Sequence, residues 1–182
     1  TNPRQTLDVF APGEGERRPV VLWIHGGGWR RGDKSGVQQK PRYFVERGFV
    51  FVSTNYRFVP EVTVPEMTRD VARAIRWVHK HAAEFGGDPE RIVVMGHSAG
   101  AHLAALVATD ERYLRGEGLS LAILKGCVPV DTAAYDIPKR IVDGGALPTE
   151  MLLETFGKTA EAQRDVSPAW QAAPNKSIPP FL

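Results

Sequence analysis

Near the middle of the chain, Gly96-His97-Ser98-Ala99-Gly100 sets a serine between two glycines. A serine hydroxyl attacks a carbonyl when the backbone lifts it into the open and a base takes its proton. Gly-x-Ser-x-Gly does the lifting where it forms a sharp turn from a strand into a helix. The pattern alone is weak, because average glycine and serine usage yields it by chance in roughly one chain in twenty of this size. Its flanks decide more. Arg91 to Gly96 reads as a strand, and "AGAHLAALVAT" after the serine has high helix propensity. On this reading Ser98 is a nucleophile and Gly96 and Gly100 leave room where a Cβ would collide. The Ala99 N–H then points toward an oxygen that becomes negative. Serine is also a favoured N-cap, and this stretch leaves both roles open.

A second glycine-rich turn follows another strand pattern, in "VVLWIHGGGWRRGDKSG". Three successive glycines let backbone N–H groups approach a ligand without side-chain obstruction. As an oxyanion loop, Gly27 and Gly28 would donate alongside Ala99. A phosphate loop is the rival, since Gly27 to Ser35 nearly matches Gly-x-x-x-x-Gly-Lys-Ser/Thr, but Asp33 intrudes between Gly32 and Lys34. That shifts the lysine and puts a carboxylate where phosphate would lie. The dinucleotide pattern also fails, because Arg31 stands where the third glycine is needed.

These two turns need strands to hold them. Short β-branched runs alternate with helical patterns, which predicts an α/β fold with a mostly parallel sheet flanked by helices. The expected strands are Leu7 to Phe10, Val20 to His25, Val50 to Tyr56, Arg91 to Gly96 and Leu121 to Val130. Near-continuous hydrophobicity in "PVVLWIH" and "RIVVMG" suits strands buried on both faces. Between them, Met67, Val71, Ala74, Ile75 and Val78 form one apolar helical stripe, with Pro65 in the first turn and Gly86-Gly87 at the end. Asp131 to Trp170 breaks the alternation around one short helix, Thr149 to Phe156, and reads as an insertion. A further short helix is expected, with Ser167 as N-cap and Pro168 in its first position.

The 182 residues suit a single domain over 1–182, and 23 basic against 21 acidic side chains give no electrostatic reason for a nucleic-acid or anionic-membrane partner. No apolar run approaches the length of a membrane-spanning helix. The lone cysteine, Cys127, sits in an apolar context that predicts a buried side chain, which mildly favours a reducing compartment such as the cytoplasm. Because the sequence starts at Thr1, a removed leader or further stretch leaves localisation open.

With "HGGGW" at His25 to Trp29, "NYRFVPE" at Asn55 to Glu61 and "GHSAG" at Gly96 to Gly100 in that order, the chain resembles the α/β-hydrolase carboxylesterases. The likeness is strongest to the hormone-sensitive-lipase-like and feruloyl-esterase-like branches. It implies the α/β-hydrolase fold and a serine carboxylesterase acting on short-chain esters through an acyl-enzyme on Ser98. Gly27, Gly28 and Ala99 would form the oxyanion hole, His25 would brace the glycine loop, and Trp29 would border the substrate cleft. Residues 131–170 would be a minimal cap, from which Tyr135, Met151, Leu152 and Phe156 either reach substrate or pack the cap. Asn55 departs from the aspartate common before Tyr-Arg in these enzymes, which puts the local hydrogen bonding there in question. An arylformamidase or carbohydrate-ester deacetylase would use the same machinery, and a non-catalytic binding protein could retain the scaffold.

The activating residues are harder to find. In the resembled fold the order is Ser, then Asp or Glu, then His. Beyond Ser98 the only histidine is His102, which lies on the helix leaving the turn and should pack beneath the serine. His97 should project away from the hydroxyl and line the cleft. His79 and His81 fall on different faces of a helix and make a poor metal site, so no metal or cofactor is expected. Asp131 and Asp165 read as turn or capping residues. Phe181 and Leu182 look like the start of another buried strand. The expectation is that the C-terminal strands are absent from this sequence and that a continuation past Leu182 supplies the triad Asp and His.

Overall fold

A computed structural model describes residues 2–13 and 15–182. The apolar runs form five strands: β1 (Leu7–Phe10), β2 (Arg18–Ile24), β3 (Val50–Thr54), β4 (Gly87–His97) and β5 (Leu124–Val130). Their order across the sheet is β1-β3-β2-β4-β5, with β1 antiparallel to β3 and the other neighbours parallel. The chain leaves β2 for β3 on one side and returns to β4 on the other. The order therefore reverses between β2 and β4, and the crevice beyond the carboxyl ends of such a pair is where α/β sheets bind ligands. Ile24 pairs with Gly96 at that end.

Eight helices lie among the described residues: α1 (Lys40–Val45), α2 (Val64–His81), α3 (Ala99–Thr109), α4 (Glu111–Gly116), α5 (Ile137–Asp143), α6 (Thr149–Phe156), α7 (Ala160–Asp165) and α8 (Pro168–Gln171). The longest, α2, starts at a capping box in which Thr63 N–H donates to Glu66 Oε2 at 2.8 Å. It buries the predicted stripe of Met67, Val71, Ala74, Ile75 and Val78, and its 3₁₀ extension, Ala82–Phe85, ends at Gly86 with φ 72°. None of the helices is long and apolar enough to cross a membrane.

Alternation along β2 divides its side chains between two cores. Val20, Leu22 and Ile24 join the large cluster under α2 and α3, whereas Val21 and Trp23 join a smaller one with Val37 and Phe51. Over the smaller cluster lies α1, where Phe44 stacks on Phe51 with centroids 5.4 Å apart. On β4, Ile92 and Val94 are buried, but Val93 and Met95 on the opposite face are only half-buried. Burial on both faces thus holds for β2 and only partly for β4.

Several boundaries differ from the sequence reading. Gly87 pairs with Arg18 across a register shift, so β4 begins four residues earlier than Arg91. Leu121–Ile123 winds into a 3₁₀ turn and β5 starts at Leu124. Residues 131–170 hold α5 and α7 besides α6, each too short to show a stripe. Ser167 does stand before α8, but its hydroxyl accepts from Ile137 N–H at 2.9 Å and donates to Gln163 O at 2.7 Å, tying α5 to α7 instead of capping α8. Cys127 is fully buried, and burial raises its thiol pKa to about 12.

Candidate active site

Ser98 joins β4 to α3 at φ 53°, ψ −115°, a conformation that L-residues adopt only when their surroundings enforce it. Its N–H donates to Val130 O at the end of β5 (2.9 Å) and its carbonyl accepts from His102 N–H (3.1 Å). Both flanking glycines are required. A Cβ on Gly96 would lie 2.2 Å from Gly100 O, and one on Gly100 would lie 2.1 Å from Ile24 O. The Ser98 side chain is half-buried and makes no capping hydrogen bond. The strained backbone therefore presents the hydroxyl without using it as a cap.

The glycine turn after β2 reaches the same place. A Cβ on Gly26 would be 2.9 Å from His97 O and 3.3 Å from Ser98 Cβ. Gly27 and Gly28 have φ of 129° and 61°. Gly27 O closes the turn by accepting from Arg30 and Arg31 N–H, each at 3.2 Å. Among the described residues, the N–H groups of Gly27, Gly28 and Ala99 have no hydrogen-bond acceptor.

The loop is held from behind. His25 is buried, stacks on Tyr56 with centroids 4.5 Å apart, and has Nδ1 2.8 Å from Gly26 O. Tyr56 Oη donates to His25 O at 2.9 Å. Burial lowers the His25 pKa. Asn55 settles the question its identity raised: Oδ1 accepts from Lys34 N–H (2.7 Å) and Nδ2 donates to Asp33 Oδ2 (3.1 Å). Asp33 is held at about 2, chiefly by the Ser35 N–H and then by Ser35 and Asn55 side-chain bonds.

Trp29 does not present its ring to a cleft. At 3% exposure it packs against His102 and Phe156, and its Nε1–H donates to His102 Nδ1 at 3.2 Å. His102 lies beneath the serine as expected, wholly buried, and desolvation lowers its pKa to about 4. His97 is exposed, with Nε2 3.7 Å from Asp131 Oδ2. Asp165 pairs with Arg112 at 2.7 Å, while His79 and His81 pair with Glu90 and Glu84. Among the described residues no side chain hydrogen-bonds the Ser98 hydroxyl. A cavity of about 430 Å³ lined by Gln5, Leu7, Asn55, Arg73 and Trp77 includes neither Ser98 nor the glycine turn.

Helix α6 lies over the glycine turn. Met151 Cε would be 3.6 Å from a Cβ on Gly28, Phe156 meets the Trp29 ring at 4.8 Å, and Glu154 pairs with Arg30 at 2.7 Å. Leu152 and Phe156 are buried, whereas Met151 and Tyr135 are half-buried. The roles of Val130 O and Glu154 had no local signal in the sequence, because each depends on a neighbour more than thirty residues away.

The BD-FAE family model matches residues 7–125. The chain belongs to the BD-FAE family. This BD-FAE chain is 35% identical over 124 residues to isoprenylcysteine alpha-carbonyl methylesterase ICME of Arabidopsis thaliana, covering 66% of the chain and 29% of that protein. It is 40% identical over 107 residues to carboxylesterase NlhH of Mycobacterium tuberculosis, covering 58% and 34%. Its structure is similar to esterase B from Lactobacillus rhamnosis, with a TM-score of 0.82 at 25% identity, over 100% of this chain and 60% of that one. It is also similar to butyrate-bound Thermogutta terrifontis esterase 2, with a TM-score of 0.73 at 29% identity, over 96% and 64%. The fold is that of the α/β-hydrolase esterases. The chain spans about a third of these curated relatives and under two thirds of the solved ones.

Proposed function

We propose that this protein is a serine carboxylesterase. The carrying observation is the Ser98 elbow, strained at φ 53°, with an uncapped hydroxyl and the Gly26 backbone against it. The kinship with carboxylesterase NlhH and esterase B supports it. Ser98 Oγ attacks the ester carbonyl carbon as a base takes its proton, and the carbonyl electrons move to oxygen. Gly27, Gly28 and Ala99 N–H groups receive that oxyanion, and each such donor is worth roughly 3 kcal/mol in the transition state. Collapse expels the alcohol with the proton, and water then releases the acid from the acyl-enzyme.

The base and its carboxylate come, in this proposal, from a segment continuing past Leu182. Pro180 O accepts from Cys127 N–H (2.9 Å) and Leu182 N–H donates to Cys127 O (3.0 Å), an isolated parallel bridge that supports a further strand along β5. Val93 and Met95 on the half-covered face of β4 fit a further covering element. Residues 131–170 act as a small cap, and Met151 above Gly28 favours short acyl groups. His97 borders the cleft mouth.

Labelling of the natural protein with a serine-directed phosphonate, followed by peptide mapping, tests the reading. Modification of Ser98 and its loss in Ser98→Ala with the fold intact is the expected result; full activity with another residue modified would sink the assignment. A panel of short aryl esters, acetylated sugars and formylated aryl amines then ranks the substrates. Intact mass tests the continuation, since active protein ending at Leu182 with no companion peptide would overturn it.

A further inference from the structure

We propose that His102 is a positioning residue that fixes the glycine turn by joining it to the base of the cap-like segment. It sits on α3, one turn after Ser98, and none of its surface reaches solvent. Trp29 Nε1–H is 3.2 Å from its Nδ1, and Val166 O is 2.8 Å from its Nε2. An indole nitrogen can only donate and a carbonyl oxygen can only accept. Both contacts are satisfied by one species alone, the neutral ring with its proton on Nε2. The ring of Phe156 closes the third side, 5.4 Å from His102 and 4.8 Å from Trp29.

The consequence is geometric. Trp29 directly follows Gly28 and has φ 61°, so the orientation of its indole is transmitted to the Gly27-Gly28 backbone. Val166 joins α7 to α8, next to Ser167, whose hydroxyl ties α5 to α7. One imidazole therefore links the serine helix, the glycine turn and the cap base. A leucine would fill the space but leave the indole N–H and the Val166 carbonyl buried without partners. The catalytic side of this inference rests on the reading of Gly27 and Gly28 as oxyanion donors, while the tie itself does not.

Three measurements on the natural protein test it. Ring ¹⁵N spectroscopy at neutral pH is expected to show His102 protonated on Nε2 and bare on Nδ1. Trp29→Phe, which keeps an aromatic ring and deletes the donor, should speed amide exchange about tenfold at Arg30 and Arg31, whose N–H groups close the glycine turn on Gly27 O, the equivalent of one lost hydrogen bond. His102→Asn, whose amide oxygen can reach the Nδ1 position, should lie between wild type and His102→Leu. Acylation at Ser98 should slow about tenfold in Trp29→Phe with the ester KM held within about twofold. A proton on Nδ1, or unchanged Arg30 and Arg31 exchange in folded Trp29→Phe, would overturn the tie. A wild-type serine that resists phosphonate while Arg30 and Arg31 exchange still responds would refute the esterase reading and support the tie.

Discussion

At Gly96 and Gly100 a single methyl group decides whether the serine turn can form. Each would place Cβ within 2.2 Å of a backbone oxygen, so the strand, the helix or both must move. Gly100→Ala is expected to destabilise the fold by about 3 kcal/mol, the upper range for overpacking, measured by urea unfolding. His102 gives a pH dependence of known sign. Its pKa falls from 6.5 to about 4 on folding, so the unfolded chain binds the extra proton first as the medium acidifies. Stability is fully present above pH 6.5 and declines as pH drops toward 4, by up to about 3 kcal/mol. His25, lowered by burial, adds in the same direction, while Asp33 titrates below this window. Comparing urea midpoints of wild type and His102→Asn at pH 7 and pH 4.5 isolates the His102 share; an equal decline in both would refute it. Asn55→Asp should destabilise by about 1 to 2 kcal/mol at neutral pH, because Nδ2 is a donor 3.1 Å from a carboxylate and an aspartate there is a like charge. Asp33→Asn should rescue it in a double-mutant cycle. The resemblance alone marked Asn55 as a departure, and only its contact with Asp33 explains it.

Among the elements, long ones were readable and short ones were not. The stripe of α2 from Met67 to Val78 repeats over about three turns, so its period stands out above composition. In α1, α5 and α7, six or seven residues complete fewer than two turns, and α1 buries no side chain at all. Their positions come from contacts such as Phe44 on Phe51. Ser167 shows how an element can be joined to others by one hydroxyl. Ser167→Ala leaves the Ile137 N–H and the Gln163 carbonyl without that partner and should destabilise the protein by about 1 to 3 kcal/mol. Protease susceptibility within residues 131–170 should rise with it. An unchanged digestion pattern would show that Ser167 does not anchor the cap-like helices.

For the whole molecule, the half-covered face of β4 and the isolated bridge from Phe181 to Cys127 on β5 make one prediction. A protein ending at Leu182 should bind the dye ANS through Val93, Met95 and Val128, and a version carrying the proposed continuation should bind much less. Equal binding would argue against a covering segment. The sheet order also explains why the site lies where it does. Because β2 sends the chain to β3 before it returns to β4, two turns separated by some seventy residues emerge side by side. Their meeting, not either motif, brings a hydroxyl close to a glycine backbone.

The sequence by itself determined the alternation of strands and helices, the central strands, the burial of Cys127 and the placing of a serine on a strand-to-helix turn. All of these follow from local periodicity and from what glycine alone permits. Tertiary structure decided that Ser98 leaves its hydroxyl uncapped, that the Trp29 ring turns inward and that His102 meets an indole N–H on Nδ1 and a carbonyl on Nε2. Those outcomes depend on which polar atoms meet across the fold, and a buried donor takes the acceptor that topology brings to it, however distant in the chain.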